Sequence, residues 1–298
     1  MLARIKERAR TMSKSRLAVA AAQDLDVLHA VIEAQTMGLV DPILVGEESK
    51  IRGLAQEQGW DLGGITVIDE GDLTKTAEVA VRLVADGKAD FLMKGLIDTS
   101  ILLKALLNRE FGLRGEGILS HIMLYEPKLY HKAILLTDGG MNIEPSLEDK
   151  AGIVRNAVEC AHRIGIETVK VACLAAKEKV NEKMPSTVDA RKLQEMCEAG
   201  EFGPGVIVEG PLALDLAVSR EAAETKGFAS RIAGDADVLL VPTIEVGNGI
   251  GKALTYLAGA ESAGVIMGAK VPVILVSRAD SYEAKLNSIA LGAVVAAK

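Results

Sequence analysis

The chain has 298 residues, 49% of them apolar and only 3% aromatic, with 41 acidic against 34 basic side chains, a formal net charge of −7 and a pI near 5.3. That balance argues against general nucleic-acid or membrane-surface binding, which favour basic patches. No run of about 18 apolar residues offers a membrane span.

The length suits one large or two medium domains with an aliphatic core. Cys160, Cys173 and Cys197 are odd in number and widely spaced. They suggest neither a zinc site nor a disulfide framework, and fit core fillers in a reducing cytoplasm. The basic start, MLARIKERARTMSKSR, lacks a signal-peptide core and predicts a surface amphipathic helix.

Short apolar strands then alternate with amphipathic segments. Strands are expected at 17–22, 42–45, 65–68, 90–93, 120–125, 132–137, 169–174, 206–208, 238–241 and 271–276. Helices are expected from Asp24 as N-cap to about Gly38, over 74–86, 100–107 and 146–164, and over 282–297. Ser146 and Asp149 have capping-box spacing. Glu126-Pro127 between two strands reads as a hairpin and a domain-crossing point. The alternation predicts an α/β protein with a mostly parallel sheet. Two α/β/α domains are expected, one of residues 1–126 with 270–298 and one of 127–269, with the active site in a cleft between them. The apolar stretch 289–295 reads as a surface helix suited to self-association.

The segment VPVILVSRADS carries most information. Ligands of open α/β sheets bind beyond the carboxyl ends of strands. There Ser277 and Arg278 offer a hydroxyl and a permanent planar cation to a phosphate or carboxylate. Other polar residues follow strands in the same way. Lys94, Thr99, Ser100 and Lys104 are candidates for a phosphate site, with helix capping as the alternative for Thr99 or Ser100. Arg109 and Arg114, in a glycine-bearing loop leading into a strand, suggest an anion site, with surface salt bridges as the alternative, and Ser120 and His121 start that strand. Asp138 and Asn142 could orient substrate or fix a turn. Gly247-Asn248-Gly249 is expected to open a helix that continues through Leu257 and to expose backbone N–H groups to an anion, with a tight turn and helix cap as the alternative. That stretch fails both the P-loop and the dinucleotide glycine spacings.

Four blocks together are specific: FLMKGLIDTSILLKALLNREFGLR, LLTDGGMNIEPSLEDKAGIVRNAVE, VEGPLALDLAVS and the stretch from ADVLLVPTIEVGNGIG to AKLNSIAL. They resemble the phosphate acetyl/butyryltransferase family, with wording closest to its butyryl branch, over nearly the whole chain from about residue 17. The resemblance implies two α/β domains similar to isocitrate and isopropylmalate dehydrogenases. It implies transfer of a short-chain acyl group between coenzyme A and inorganic phosphate, within fatty acid metabolism. A CoA thioester, phosphate and an acyl phosphate would be the small-molecule partners, with no further cofactor, no metal, no nucleic acid and no membrane, in a homo-oligomeric cytoplasmic enzyme. It assigns phosphate to Arg278 and the thioester sulfur to Ser277. Lys104 stands where acetyltransferase relatives place a basic residue near the substrate. Those relatives carry an aspartate one turn after the Ser-Arg pair, where this chain has Ala284, so Asp280 or Glu283 is the candidate base and helix capping the alternative. An acetyl preference and a non-catalytic CoA- or phosphate-sensing protein are the competing readings. An NAD-dependent decarboxylating dehydrogenase would need clustered aspartates for a metal, and the sequence shows none.

Overall fold

The computed structural model describes residues 1–277 and 279–297. The chain forms two compact units, Leu2–Gly117 with Ala263–Lys298, and Ile118–Ser262 with Met1. Both divisions fall earlier than the expected 126/127 and 269/270. The physical reason lies in strand pairing: residues 120–126 pair within the second unit and residues 261–267 pair with the returning end of the first.

The first unit opens with α1 (Leu2–Thr11), β1 (Ser15–Ala20), α2 (Leu25–Thr36), β2 (Val40–Gly46), α3 (Glu48–Gln58), β3 (Thr66–Asp69), α4 (Leu73–Ala85), β4 (Phe91–Lys94) and α5 (Thr99–Leu106). α1 buries Leu2, Ile5 and Ala9, spaced three and four apart as an amphipathic helix requires. Asp24 caps α2 through the Val27 N–H at 2.9 Å.

The second unit contains β5 (Ser120–Glu126), β6 (Ile134–Thr137), α6 (Leu147–Arg163), β7 (Val169–Leu174), α7 (Pro185–Glu198), β8 (Val206–Leu212), α8 (Leu214–Val218), α9 (Arg220–Thr225), β9 (Val238–Leu240) and α10 (Ile244–Lys252). A π-helical turn, Ala253–Leu257, extends α10. The strand order is β5-β6-β9-β7-β8. β5 and β6 form the expected antiparallel hairpin, and the remaining neighbours are parallel. Ser146 and Asp149 form a reciprocal capping box on α6. An apolar cluster of Leu136, Leu174, Leu212, Leu216, Ile232 and Leu239 lies under these strands.

The chain then returns to the first unit through β10 (Glu261–Met267), β11 (Val273–Ile274) and α11 (Tyr282–Ala296). Its strand order is β3-β2-β1-β4-β11-β10. β11 runs parallel to β4 and antiparallel to β10. The expected strand 271–276 therefore shortens to two paired residues, and β10 is an additional strand. α11 is buried at every position from Lys285 to Val295, with Ile289 and Leu291 at 0% exposure. Residues 289–295 are thus core rather than the surface helix expected for self-association. Burying each large aliphatic side chain there contributes about 1.5–3 kcal/mol. A Cβ at Gly292 would lie 2.5 Å from Ile274 and 2.8 Å from Phe91, so only glycine lets α11 press this closely onto β11 and β4. That packing places the start of α11 just beyond the carboxyl end of β11.

Candidate active site

Each unit carries one cluster of the expected residues. In the first, β4 and β11 are parallel neighbours, so the loop after Lys94 and the turn after Val276 leave the same edge of the sheet. Ser277 is exposed there. Its N–H donates to Asp280 Oδ2 at 2.8 Å, its carbonyl accepts from the Asp280 N–H at 3.1 Å, and its Oγ accepts from the Ala279 N–H at 3.3 Å. The turn is therefore a closed loop of short contacts around an exposed Ser277. Arg278 lies outside the described residues.

Ser281 ends the turn and caps α11 through the Ala284 N–H at 3.3 Å. Glu283 is exposed, and its carboxyl is held below the ordinary carboxylate range, first by the Ser281 hydroxyl. That shift makes Glu283 a weaker base and ties it to the helix start. Tyr282 stacks on His29 of α2 with ring centroids 4.2 Å apart, and His29 in turn stacks on Trp60. The neighbouring Glu283 charge pushes the Tyr282 phenol upward.

Lys94 is buried, and its ammonium donates to the carbonyls of Gly95 and Ile97, both at 3.1 Å. It stitches the strand end to the following loop. Thr99 and Ser100 occupy the first turn of α5, but the capping position belongs to Asp98. Ser100 and Lys104 are exposed. Arg109 lies in a 3-10 turn, Arg109–Phe111, and Arg114 is exposed on the loop that follows.

The second cluster forms because β6 and β9 are parallel neighbours and β5 runs opposite to β6. The start of β5, the end of β6 and the start of α10 therefore meet. Asp138 is 2% exposed. Its Oδ1 accepts from the Gly140 and Met141 N–H groups at 2.8 and 2.9 Å. Its Oδ2 accepts from the His121 N–H at 3.0 Å and from Asn142 Nδ2 at 2.6 Å. Asn142 also donates to the Leu119 carbonyl at 2.9 Å. Asp138 and Asn142 thus shape the loop itself. Ser120 is fully buried and accepts from Asn156 Nδ2 at 2.9 Å, which places it inside the unit. The His121 ring lies against Gly140, where a Cβ would come within 2.5 Å of its Nδ1.

The expected helix does continue through Leu257, but it starts at Ile244, ahead of Gly247-Asn248-Gly249. That stretch lies within α10, and the Gly247 N–H is taken by the Thr243 carbonyl at 3.2 Å. Gly247 serves backbone contact instead: a Cβ at Gly139 would lie 2.6 Å from the Gly247 carbonyl carbon. Asn248 Nδ2 reaches the Gly139 carbonyl at 3.4 Å. A helix capped near residue 243 was hidden because glycine-rich sequence ordinarily signals a loop.

Sequence reasoning missed Asn156, which holds both Ser120 and the Ile118 carbonyl. It also missed Lys285, the lone basic residue of the mostly apolar helix α11. That contrast is its signal. Burial pushes the Cys160 and Cys173 thiols up to about 12, as suits core fillers. Among the described residues, no group of three or more His, Cys, Asp or Glu could hold a metal ion, and no helix is long and apolar enough to cross a membrane.

The architecture matches a solved branched-chain phosphotransacylase from Enterococcus faecalis V583 with a TM-score of 0.84 and 36% identity, over 95% of this chain and 99% of that one. The fold is isocitrate/isopropylmalate dehydrogenase-like, as carried by the phosphotransacylases. The family model "Phosphate acetyl/butaryl transferase" matches residues 1–78 and 71–293. The chain is 45% identical over 292 residues to the phosphate butyryltransferase of Clostridium acetobutylicum, covering 98% of this chain and 96% of that protein. It is 42% identical over 295 residues to the phosphate acetyltransferase of Thermotoga maritima, covering 99% of each. The chain belongs to the phosphate acetyl/butyryl transferase family. It is an acyltransferase.

Proposed function

We propose that the chain catalyses acyl-CoA + phosphate ⇌ acyl phosphate + CoA with a short-chain acyl group, butyryl preferred. The identity to a phosphate butyryltransferase over nearly the full length carries this reading. A phosphate oxygen attacks the thioester carbonyl, the tetrahedral intermediate collapses, and the CoA thiolate departs. Ser277 donates a hydrogen bond to the departing sulfur, and Arg278 holds the phosphate. The exposed position of Ser277, in a closed turn beyond the carboxyl end of β11, supports its role. In the reverse direction Asp280, the carboxylate bonded to the Ser277 N–H, takes the thiol proton. Glu283 is the weaker candidate because of its depressed carboxyl. Lys104 and Arg114, both exposed, supplement the positive charge.

Aligning two bound substrates supplies up to about 7–11 kcal/mol of barrier reduction. Each well-placed donor to the developing oxyanion adds about 3–4 kcal/mol. Those two terms give a large acceleration without a covalent intermediate or a further cofactor.

The likeness to a branched-chain phosphotransacylase favours a second reading, in which isobutyryl or a longer branched group is preferred. One methylene is worth about 1–3 kcal/mol in discrimination. Measuring kcat/KM for acetyl-, butyryl- and isobutyryl-CoA separates the readings. Butyryl ahead of acetyl by tenfold or more, and ahead of isobutyryl, supports the butyryl reading; acetyl ahead of both overturns it. Residence in the cytoplasm, supported by free thiols, and homo-oligomeric assembly, supported by exposed Tyr256 and Leu257 on adjacent positions, complete the proposal.

A further inference from the structure

We infer that Lys285 is a positioning residue for acyl transfer, holding the turn that presents Ser277. Lysines are almost never fully buried unless partnered. Lys285 is 3% exposed and opens the buried stretch of α11. Its ammonium donates to the backbone carbonyl of Asp280 and lies 3.6 Å from Asp26 Oδ2 in the first turn of α2. Asp280 is the residue whose carboxylate and N–H both bond Ser277. One buried cation therefore grips the residue that closes the turn and fixes it to two packed helices. The Tyr282–His29 stack secures the helix start from a second point.

This inference rests on the Ser277 turn being part of the acyl-transfer site. Loss of the ammonium frees the Asp280 carbonyl and lets the hydroxyl drift, and a misplacement of about 1 Å can cost about a hundredfold in rate. Stability should change little in Lys285→Met. The methionine keeps the apolar stem, Asp26 is half-exposed and stays solvated, and replacing a buried ion by an apolar group of similar volume is often neutral.

The experiment compares the unmodified chain with Lys285→Met, Lys285→Gln and Ser277→Ala for phosphate-dependent CoA release. It also compares thermal midpoints and amide hydrogen exchange at Ser277 and Asp280. The expected result is a kcat lowered about 10- to 100-fold in Lys285→Met, with KM changed far less. The midpoint stays close to that of the unmodified chain, and exchange accelerates at Ser277 and Asp280 but not in α2. Lys285→Gln, a donor on a shorter stem, falls between the two, and it decides the question if the methionine variant does not fold. If Ser277→Ala is impaired while the Lys285 variants keep full kcat and amide protection, the positioning role is overturned. If Ser277→Ala itself turns over normally, the site reading fails, and the role of Lys285 falls with it.

Discussion

Asp138→Asn tests whether the loop after β6 is organised by a buried carboxylate. Four donors converge on the two carboxylate oxygens, two of them backbone N–H groups of residues 140 and 141, one the His121 N–H and one the Asn142 amide. Asparagine keeps one oxygen and sets an NH2 group against the other pair of donors. Hydrogen bonds to a charged group are worth about 1.5–3 kcal/mol each, so two lost bonds cost about 3–6 kcal/mol. Flipping Asn142 to relieve the conflict would forfeit its 2.9 Å bond to the Leu119 carbonyl, so the rearrangement offers little relief. Against a total stability of about 5–15 kcal/mol, the loss is large. Urea unfolding followed by far-UV circular dichroism reads it as a lower midpoint. A loss below about 1 kcal/mol would refute the reasoning and show that the carboxylate charge does not hold the loop.

Three further outcomes follow from the same contacts. Gly139→Ala pushes a methyl group into the Gly247 backbone of α10, so it should cost about 1–3 kcal/mol in thermal or urea unfolding, whereas alanine at open Gly53 costs no such strain. Asp235 is opposed by burial, but Lys132, Lys170 and His131 outweigh that and hold its carboxyl well below the ordinary range. A depressed carboxyl contributes stability above its unfolded value of about 4 that is lost as pH falls below it. Asp235→Asn should therefore cost about 1–2 kcal/mol at pH 7, with the difference from the parent shrinking in acid unfolding scans below about pH 4. With thiols raised to about 12, Cys160 and Cys173 should resist iodoacetamide at pH 8 in the folded chain and react once urea unfolds it, as mass mapping would show.

Much of the fold was legible because alternation of strands and helices is a local signal. The capping box at Ser146 and Asp149 and the Asp24 cap are short-range patterns, and both form as spaced. The β5–β6 hairpin was marked by Glu126-Pro127. The errors arise where tertiary packing overrides local pattern. α11 reads as a surface helix because nothing local reveals that α2, α1 and the strands cover it on all sides. Gly247 reads as the glycine that opens a helix, yet it sits inside one, where the Gly139 backbone needs the space.

The candidate site was legible as residue types at strand ends, and only in part as roles. Ser277 stands exposed at the end of β11, where an open α/β sheet places ligands. Lys94, Ser120 and Asp138 also follow or begin strands, but their side chains turn inward to carbonyls, to an asparagine and to backbone N–H groups. Sequence spacing gives the position of a polar residue along a strand and not the partner it finds. Lys285 illustrates the converse: a position one turn into an apolar helix concealed a link to the Ser277 turn.

The most direct measurement is thiol release from butyryl-CoA by the purified chain, with and without inorganic phosphate, in the presence of a chelator. Release that requires phosphate and yields butyryl phosphate is the predicted result. Release at the same rate without phosphate, or none from folded protein, would contradict acyl transfer to phosphate as its reaction.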